Sequence, residues 1–303
     1  MGFSHTSVLL EESVAALAPA DGEVFVDCTL GGGGHTEALL EAADCRVIGL
    51  DRDPAALAAA GERLARFGDR FQPVHTDFAG LGRVLDDLGV ATVDGILADL
   101  GVSSPQLDEA ERGFSFRSAG PVDMRMDPTQ GPTAADLLAS TDEAELVRIL
   151  REYGEERHAR RVARTLLAEQ PFADTAALAA CVAGVVGRGK GRIHPATRTF
   201  QALRIAVNGE LAQLESLLPQ AIERLAPHGR LAIITFHSLE DRLVKQFLHR
   251  AAGRGLPRDA YGNPIGDITV EVRRPLVPSP EDPNPRARSS RLRSAQRLPW
   301  NAP

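Results

Sequence analysis

Cysteine is scarce in this chain of 303 residues: Cys28, Cys45 and Cys181 are odd in number and widely spaced, with no C-x-x-C pair. Neither a disulfide framework nor a zinc ribbon is expected, and a reducing cytoplasm fits. The eight histidines form no H-E-x-x-H motif and no His/Cys cluster, so no metal site is expected. No apolar run approaches the ~20 residues of a membrane span. Met1–Thr6 lacks a basic stretch leading into an apolar block, so no secretory signal is expected. Lysine is nearly missing too, since only Lys190 and Lys245 of the 34 basic residues are lysine. What remains is the make-up of a soluble globular protein, 43% apolar and 25% charged, long enough for one large α/β domain or two smaller ones.

The net charge of −7 argues at first against a nucleic-acid partner, but its distribution is uneven. Arg242–Pro303 holds twelve Lys/Arg against five Asp/Glu, a balance of +7, which leaves −14 on the rest of the chain.

Along the first third, short apolar runs alternate with helix-like stretches. Strands are predicted at 23–28, 46–51, 71–75 and 93–100, with helices at 35–43 and from Pro54 to Phe67. Pro54 suits the first turn of its helix. Strand–helix alternation with nearly continuous apolar strands predicts a parallel, doubly wound sheet. Residues 103–133 read as loop. Helices follow at 155–170 and 174–186, together with one begun by a capping box at Ser140-x-x-Glu143. Gly187–Gly191 reads as a flexible break. One long helix or two should cover 195–225, followed by a strand at 230–236, a helix at 239–251 and a late strand at 268–272. A proline-rich stretch at 275–288 must be extended or loop, and 289–298 reads as an edge strand.

The informative stretch is Val26-Asp27-Cys28-Thr29-Leu30-Gly31-Gly32-Gly33-Gly34-His35, between the first strand and the first helix. Glycine there permits positive φ and close approach of a ligand, at the place where open α/β sheets bind ligands. The dinucleotide fingerprint G-x-G-x-x-G fails, because its last position falls on Thr36 or Glu37, and no G-K-[ST] follows. A pyrophosphate ligand is therefore disfavoured, and with it an NAD-dependent oxidoreductase. Asp27, ending the strand, suits a cationic or amine-bearing ligand such as S-adenosyl-L-methionine. Asp51, 24 residues on at the end of the second strand, can accept from a ribose diol. Asp53, beside Pro54, reads as a helix-start residue. Asp99, at the end of the fourth strand, would face the reacting centre of an amino methyltransferase.

Further blocks run through the chain: HTSVLL from His5, GLDRDP from Gly49, DLGVSSPQ from Asp99 to Gln106, ERGFSF from Glu111, DMRMD from Asp123, YGEE from Tyr153, HPATRTFQALRI from His194, FHSLEDR from Phe236 and NPRARSS from Asn284. With the glycine loop, these make the chain resemble the bacterial 16S ribosomal RNA cytosine-N4 methyltransferases, the RsmH/MraW family, over nearly its whole length. The resemblance implies an α/β fold, a Rossmann-type doubly wound methyltransferase sheet with a helical insertion domain. The methyltransferase domain is expected at 1–106 and 193–303 and the insertion, for substrate recognition, at 107–192. The resemblance further implies S-adenosyl-L-methionine as cofactor, bound by Gly33, Gly34, His35, Asp51, Phe78, Asp99 and Gln106, with Phe78 against the adenine. Its substrate would be 16S ribosomal RNA within the small ribosomal subunit.

Asp99 is the expected catalytic residue, as an acceptor for the attacking amine. His35 reads equally as a ligand contact or a helix-start residue. His237 and Ser238 are expected in the cleft and His194 as structural. Phe114, Phe116 and Tyr153 are expected in the core of the insertion, with base stacking as the alternative. The tail arginines Arg286, Arg288, Arg291, Arg293 and Arg297 read equally as phosphate contacts or as a solvated edge. The oligomeric state stays open, a homodimer being one alternative. A non-catalytic RNA-binding factor on the same fold is the competing class.

Overall fold

A computed structural model describes residues 7–187, 194–257, 261, 266–279, 281, 284 and 287–299. The chain divides into two compact units. One joins the residues up to Gly101 with those from Leu211 onward, and the other runs from Val102 to Glu210.

The first unit is built on seven strands in the order β3-β2-β1-β4-β5-β7-β6. Strands β1 (Val24–Asp27), β2 (Arg46–Asp51), β3 (Phe71–His75), β4 (Val93–Asp99) and β5 (Leu225–Thr235) run parallel. Phe25, Val26, Ile96 and Leu97 are buried because β1 and β4 are covered on both faces. On one face α1 (Leu10–Leu17), α2 (Gly34–Ala42) and α3 (Pro54–Leu64) pack through Leu17, Leu39, Leu40, Ala60 and Leu64. On the other lie α4 (Leu81–Asp87), α11 (Glu210–Arg224) and α12 (Ser238–Ala251), with Leu85, Leu217 and Val244 in the core. The doubly wound sheet is as expected.

The last strands differ from expectation. β7 (Arg291–Arg297) is antiparallel and inserted between β5 and β6 (Val270–Val272), so the tail is an interior strand and β6 is the edge. Leu292 and Ala295 of β7 are buried in the sheet's cores. A partly alternating, arginine-bearing sequence looked like an edge because its arginines have partners that only the fold supplies.

The second unit is helical. Its helices are α5 (Ser104–Asp108), α6 (Ala134–Ser140), α7 (Glu143–Glu152), α8 (Ala159–Glu169), α9 (Thr175–Val186) and α10 (Thr197–Asn208). Leu146, Leu150, Val162, Leu166, Leu178 and Leu203 form its core. The unit extends beyond 107–192 at both ends. Phe200, Ala202 and Leu203 of α10 pack with α6 to α9, and Gly209 at φ 63° ends α10, which separates it from α11. Asp142 caps α7 by accepting from Glu145 N–H. Ser140 instead closes α6, its hydroxyl donating to the Asp136 carbonyl, so the expected capping box is not formed. The helix expected from Glu155 starts at Ala159 because Glu155 has φ 49°. Phe114 is buried, and Phe116 and Tyr153 pack against the unit's core. Arg286 and most of the glycine-rich break after Gly187 lie outside the described residues. Among the described residues no helix is long and apolar enough to cross a membrane.

Candidate active site

The turn after β1 is pinned to both neighbouring strands. Cys28 N–H donates to the Leu97 carbonyl of β4 at 2.8 Å, and Leu30 N–H to the Leu50 carbonyl of β2 at 2.9 Å. Gly31 and Gly33 sit at φ 50° and 78°, in the left-handed region. A Cβ on Gly33 would also press on Leu64 Cδ1 at 3.0 Å. Gly34 is glycine for a different reason: its missing Cβ leaves room for Ser7 Oγ.

Three carboxyl groups end the strands around this loop. Asp27, on β1, accepts from Thr36 Oγ1 at 2.8 Å and from Thr29 N–H at 3.1 Å. Burial pushes it up to about 6 against those two bonds, with the Asp51 charge adding to the rise. Asp51, on β2, accepts from Gly31 N–H at 2.7 Å through Oδ2 and from Asp53 N–H at 2.8 Å through Oδ1. Burial raises it despite both donors. Asp53 itself caps α3, as expected. Asp99, on β4, donates its backbone N–H to Thr29 Oγ1 at 2.6 Å. Its carboxyl is pushed far above the usual range by burial and then by the charges of Asp27 and Glu240. The side chain is 22% exposed, yet Oδ1 is buried with no hydrogen-bond partner among the described residues.

His35 lies in the first turn of α2, buried, with Nε2 3.2 Å from the Val8 carbonyl. A carbonyl only accepts, so Nε2 carries a proton. Nδ1 stands 3.8 Å from Asp99 Oδ2, close enough to feel its charge and too far to be its hydrogen bond. Phe78 opens a short 3₁₀ turn after β3 and packs, half-buried, against the sheet core. Gln106 belongs to the helical unit. There its side chain accepts from Ser103 N–H at 3.0 Å, completing a capping box on α5.

His237 and Ser238 stand at the carboxyl end of β5, where the sequence put them, but His237 works as the cap of α12. Its Nδ1 accepts from Glu240 N–H, and Nε2 lies 3.1 Å from Glu240 Oε1. Buried Glu240 accepts from Phe236 N–H at 2.8 Å. Sequence reasoning missed Glu240, Thr29 and Thr36. The H-S-L-E spacing, a capping box with histidine in the first place, was the readable signal for Glu240.

The basic tail is mostly used up inside the fold. Arg293 makes two bonds to Asp241, at 2.7 and 3.1 Å, Arg291 a third at 2.9 Å, and Arg297 holds the Ile222 carbonyl.

The model of the MraW methylase family matches residues 2–298. The chain belongs to that family. It is 52% identical over 301 residues to the ribosomal RNA small subunit methyltransferase H of Synechococcus elongatus, covering 98% of this chain and 95% of that protein. Proteins of the same name from Trichlorobacter lovleyi and Anaeromyxobacter dehalogenans are 51% and 54% identical over 98% of this chain, and over 99% and 98% of their own lengths. The cofactor of the family is S-adenosyl-L-methionine, which carries both a sulfonium and an ammonium. The acceptors present fit such a cation: Asp27, Asp51 and Asp99 end the strands around the glycine loop, and Asp99 Oδ1 has no partner among the described residues. Among the described residues no group of three or more His, Cys, Asp or Glu is placed to hold a metal ion.

Proposed function

We propose that the protein methylates the exocyclic N4 of a specific cytidine in 16S ribosomal RNA of the small ribosomal subunit, in the cytoplasm. The observation that carries the reading is Asp99: a buried carboxyl at the end of β4, beside the glycine loop, with one oxygen still to be matched. The names of the curated relatives support the RNA substrate.

Gly33, Gly34 and His35 form the loop and helix start against which the cofactor rests. Asp51 would accept from its ribose and Phe78 would lie against its adenine, and Gln106 is a further residue that the family resemblance assigns to it. The bound cofactor supplies an electrophilic methyl group. The N4 lone pair of cytosine is delocalised into the ring and attacks poorly. An acceptor on one N–H favours a pyramidal nitrogen and steadies the positive charge that develops there. Asp99, or a carbonyl of Leu100-Gly101, is that acceptor. Holding amine and methyl group in line supplies much of the remaining acceleration. The target base must be unpaired or flipped out, and the helical unit is the part that recognises the RNA around it.

The test is incubation of unmodified small subunits with enzyme and cofactor, followed by mass mapping of the ribosomal RNA. A single methyl on the N4 of one cytidine is expected. Methylation of another base, or of DNA or protein in place of RNA, overturns the reading.

A further inference from the structure

Arg291, Arg293 and Arg297 of the tail are committed to Asp241 and Ile222, so a phosphate-binding surface is better sought elsewhere. The helical unit contains a better candidate. Arg160, Arg161 and Arg164 share one face of α8 and Arg157 stands just before it, and no acidic residue occurs between Arg157 and Ala168. All four are exposed. Two of them are occupied: Arg161 on the Val185 carbonyl and Arg164 on Glu143 Oε1 at 2.8 Å. Arg157 and Arg160 hold no carboxylate among the described residues.

The same corner gathers two more groups suited to RNA. Arg198, exposed on the first turn of α10, rests on the Glu155 carbonyl at 3.2 Å, two residues before Arg157. Gly154 lets this happen, since a Cβ there would lie 2.6 Å from the Arg198 carbonyl oxygen. His194, three residues before α10, is exposed and stacks on Phe116 with ring centroids 4.5 Å apart; Phe116 in turn meets Phe200 edge-on at 4.9 Å. The imidazole is therefore the outer ring of an aromatic column rooted in the unit's core. Its Nδ1 accepts from Ala196 N–H at 3.2 Å, which fixes the ring's orientation.

We propose that Arg157, Arg160, Arg198 and His194 form the surface on which the helical unit takes up a single strand of ribosomal RNA. The arginines would hold backbone phosphates and the imidazole would serve as a stacking platform for one base. The proposal rests on the reading of the protein as a ribosomal RNA methylase and adds the residues that bind the RNA. Guanidinium forks match phosphate oxygens in pairs. Three arginines beside one exposed, backed ring repeat the combination of charged track and stacking platform by which single strands are bound. An acidic protein partner would use the arginines but would have no need of the ring.

The experiment measures binding of the full-length protein to unmodified small subunits across a salt series. The variants are Arg157→Ala/Arg160→Ala, His194→Ala and His194→Phe. A charge-matched control is Arg46→Ala/Arg83→Ala, two exposed arginines of the sheet unit. Arg157 and Arg160 make no hydrogen bond or ion pair among the described residues, so their loss should leave the melting temperature and cofactor affinity unchanged. The expected result is about tenfold weaker binding or more at physiological salt. The slope of log K against log salt should flatten by about 1.4, at about 0.7 per phosphate contact on a single strand. KM for subunits should rise with kcat preserved. His194→Ala should weaken binding without altering the slope, and His194→Phe should restore it. Unchanged binding in the double variant overturns the proposal. Weakened binding with an unchanged slope also overturns it, because the two arginines would then not be contacting phosphate. If the wild-type protein neither binds nor methylates subunits, the functional reading itself fails, which is a different result.

Discussion

The backbone N–H of Gly31 donates to Asp51 Oδ2 at 2.7 Å, so the glycine loop after β1 is tied to the end of β2 by the residue assigned to the cofactor's ribose. Asp51→Ala removes that tie together with the bond to Asp53 N–H and the ribose acceptor. Losing a charge-assisted bond costs about 1.5–3 kcal/mol, a rise in Kd of about tenfold to 150-fold, measurable by calorimetry. NADH should not bind. Asp51→Asn retains one carbonyl acceptor but faces the other backbone N–H with an amide donor, so its Kd should fall between. An Asp51→Ala protein with wild-type affinity would remove Asp51 from the cofactor site.

Asp99→Asn separates binding from chemistry. Burial, with Asp27 and Glu240 nearby, favours the protonated form of this carboxyl. Asparagine imitates that neutral form, so the variant should melt no lower than the parent and keep most of its cofactor affinity. It cannot offer a full negative charge to the amine as positive charge develops there. Such electrostatic contacts are worth about 10²–10³ in rate. Single-turnover methyl transfer at saturating cofactor should fall by that factor. Full recovery of the rate at saturation would make Asp99 a binding residue only.

The glycine loop and the strand ends around it were legible where local chemistry decides them. Glycine at positive φ between a strand and a helix, Asp at three strand ends and Pro54 at a helix start all have meanings that need no tertiary partner. What the sequence hid depends on long-range pairing. The place of β7 between β5 and β6 rests on Asp241, 50 residues before Arg291. Ser140 and Asp142 both satisfy the rules for a cap, and packing of α6 decides between them. The 107–192 boundary missed α10 because Phe200 and Leu203 are as apolar as the residues of α11 that follow; only their partners differ.

The buried carboxyls predict a proton linked to cofactor binding. Asp27 titrates near 6 in the free protein, and a cation bound near it favours the charged form. Cofactor affinity should therefore rise with pH. It should be about tenfold weaker at pH 5 than at pH 7 if the bound form loses its proton below pH 5. Calorimetry in two buffers of different ionisation enthalpy should show proton release near pH 6. The linkage for folding has the opposite direction. Because the folded-state value lies above the unfolded one, Asp27's contribution to stability is full below about pH 4 and is lost as pH rises through 6. Asp27→Asn should remove both effects, and a pH-independent affinity between 5 and 7 would disprove the linkage.

The last prediction concerns the tail, whose arginines the sequence left equally open to phosphate contact and to a solvated edge, and three of which are engaged inside the fold. Arg293 is 7% exposed and grips Asp241 at 2.7 Å, with Arg291 on the same carboxylate. That carboxyl is held below its usual range by both guanidinium groups despite partial burial. Its contribution to stability is thus present at neutral pH and is lost as pH falls through the lowered value. Arg293→Ala leaves Asp241 partly buried with one partner, at a cost of about 2–3 kcal/mol, below the 3–5 kcal/mol of a fully buried pair. Arg291→Ala, on an exposed side chain, should cost under about 1 kcal/mol. Truncation at Asn284 removes β7, with its buried Leu292 and Ala295, and exposes the edge of β5. That protein should lose cofactor affinity and subunit binding together, because the sheet unit no longer folds. Chemical denaturation of the two point variants checks the ordering. A truncated protein that stays folded and binds cofactor normally would return the tail to the RNA surface.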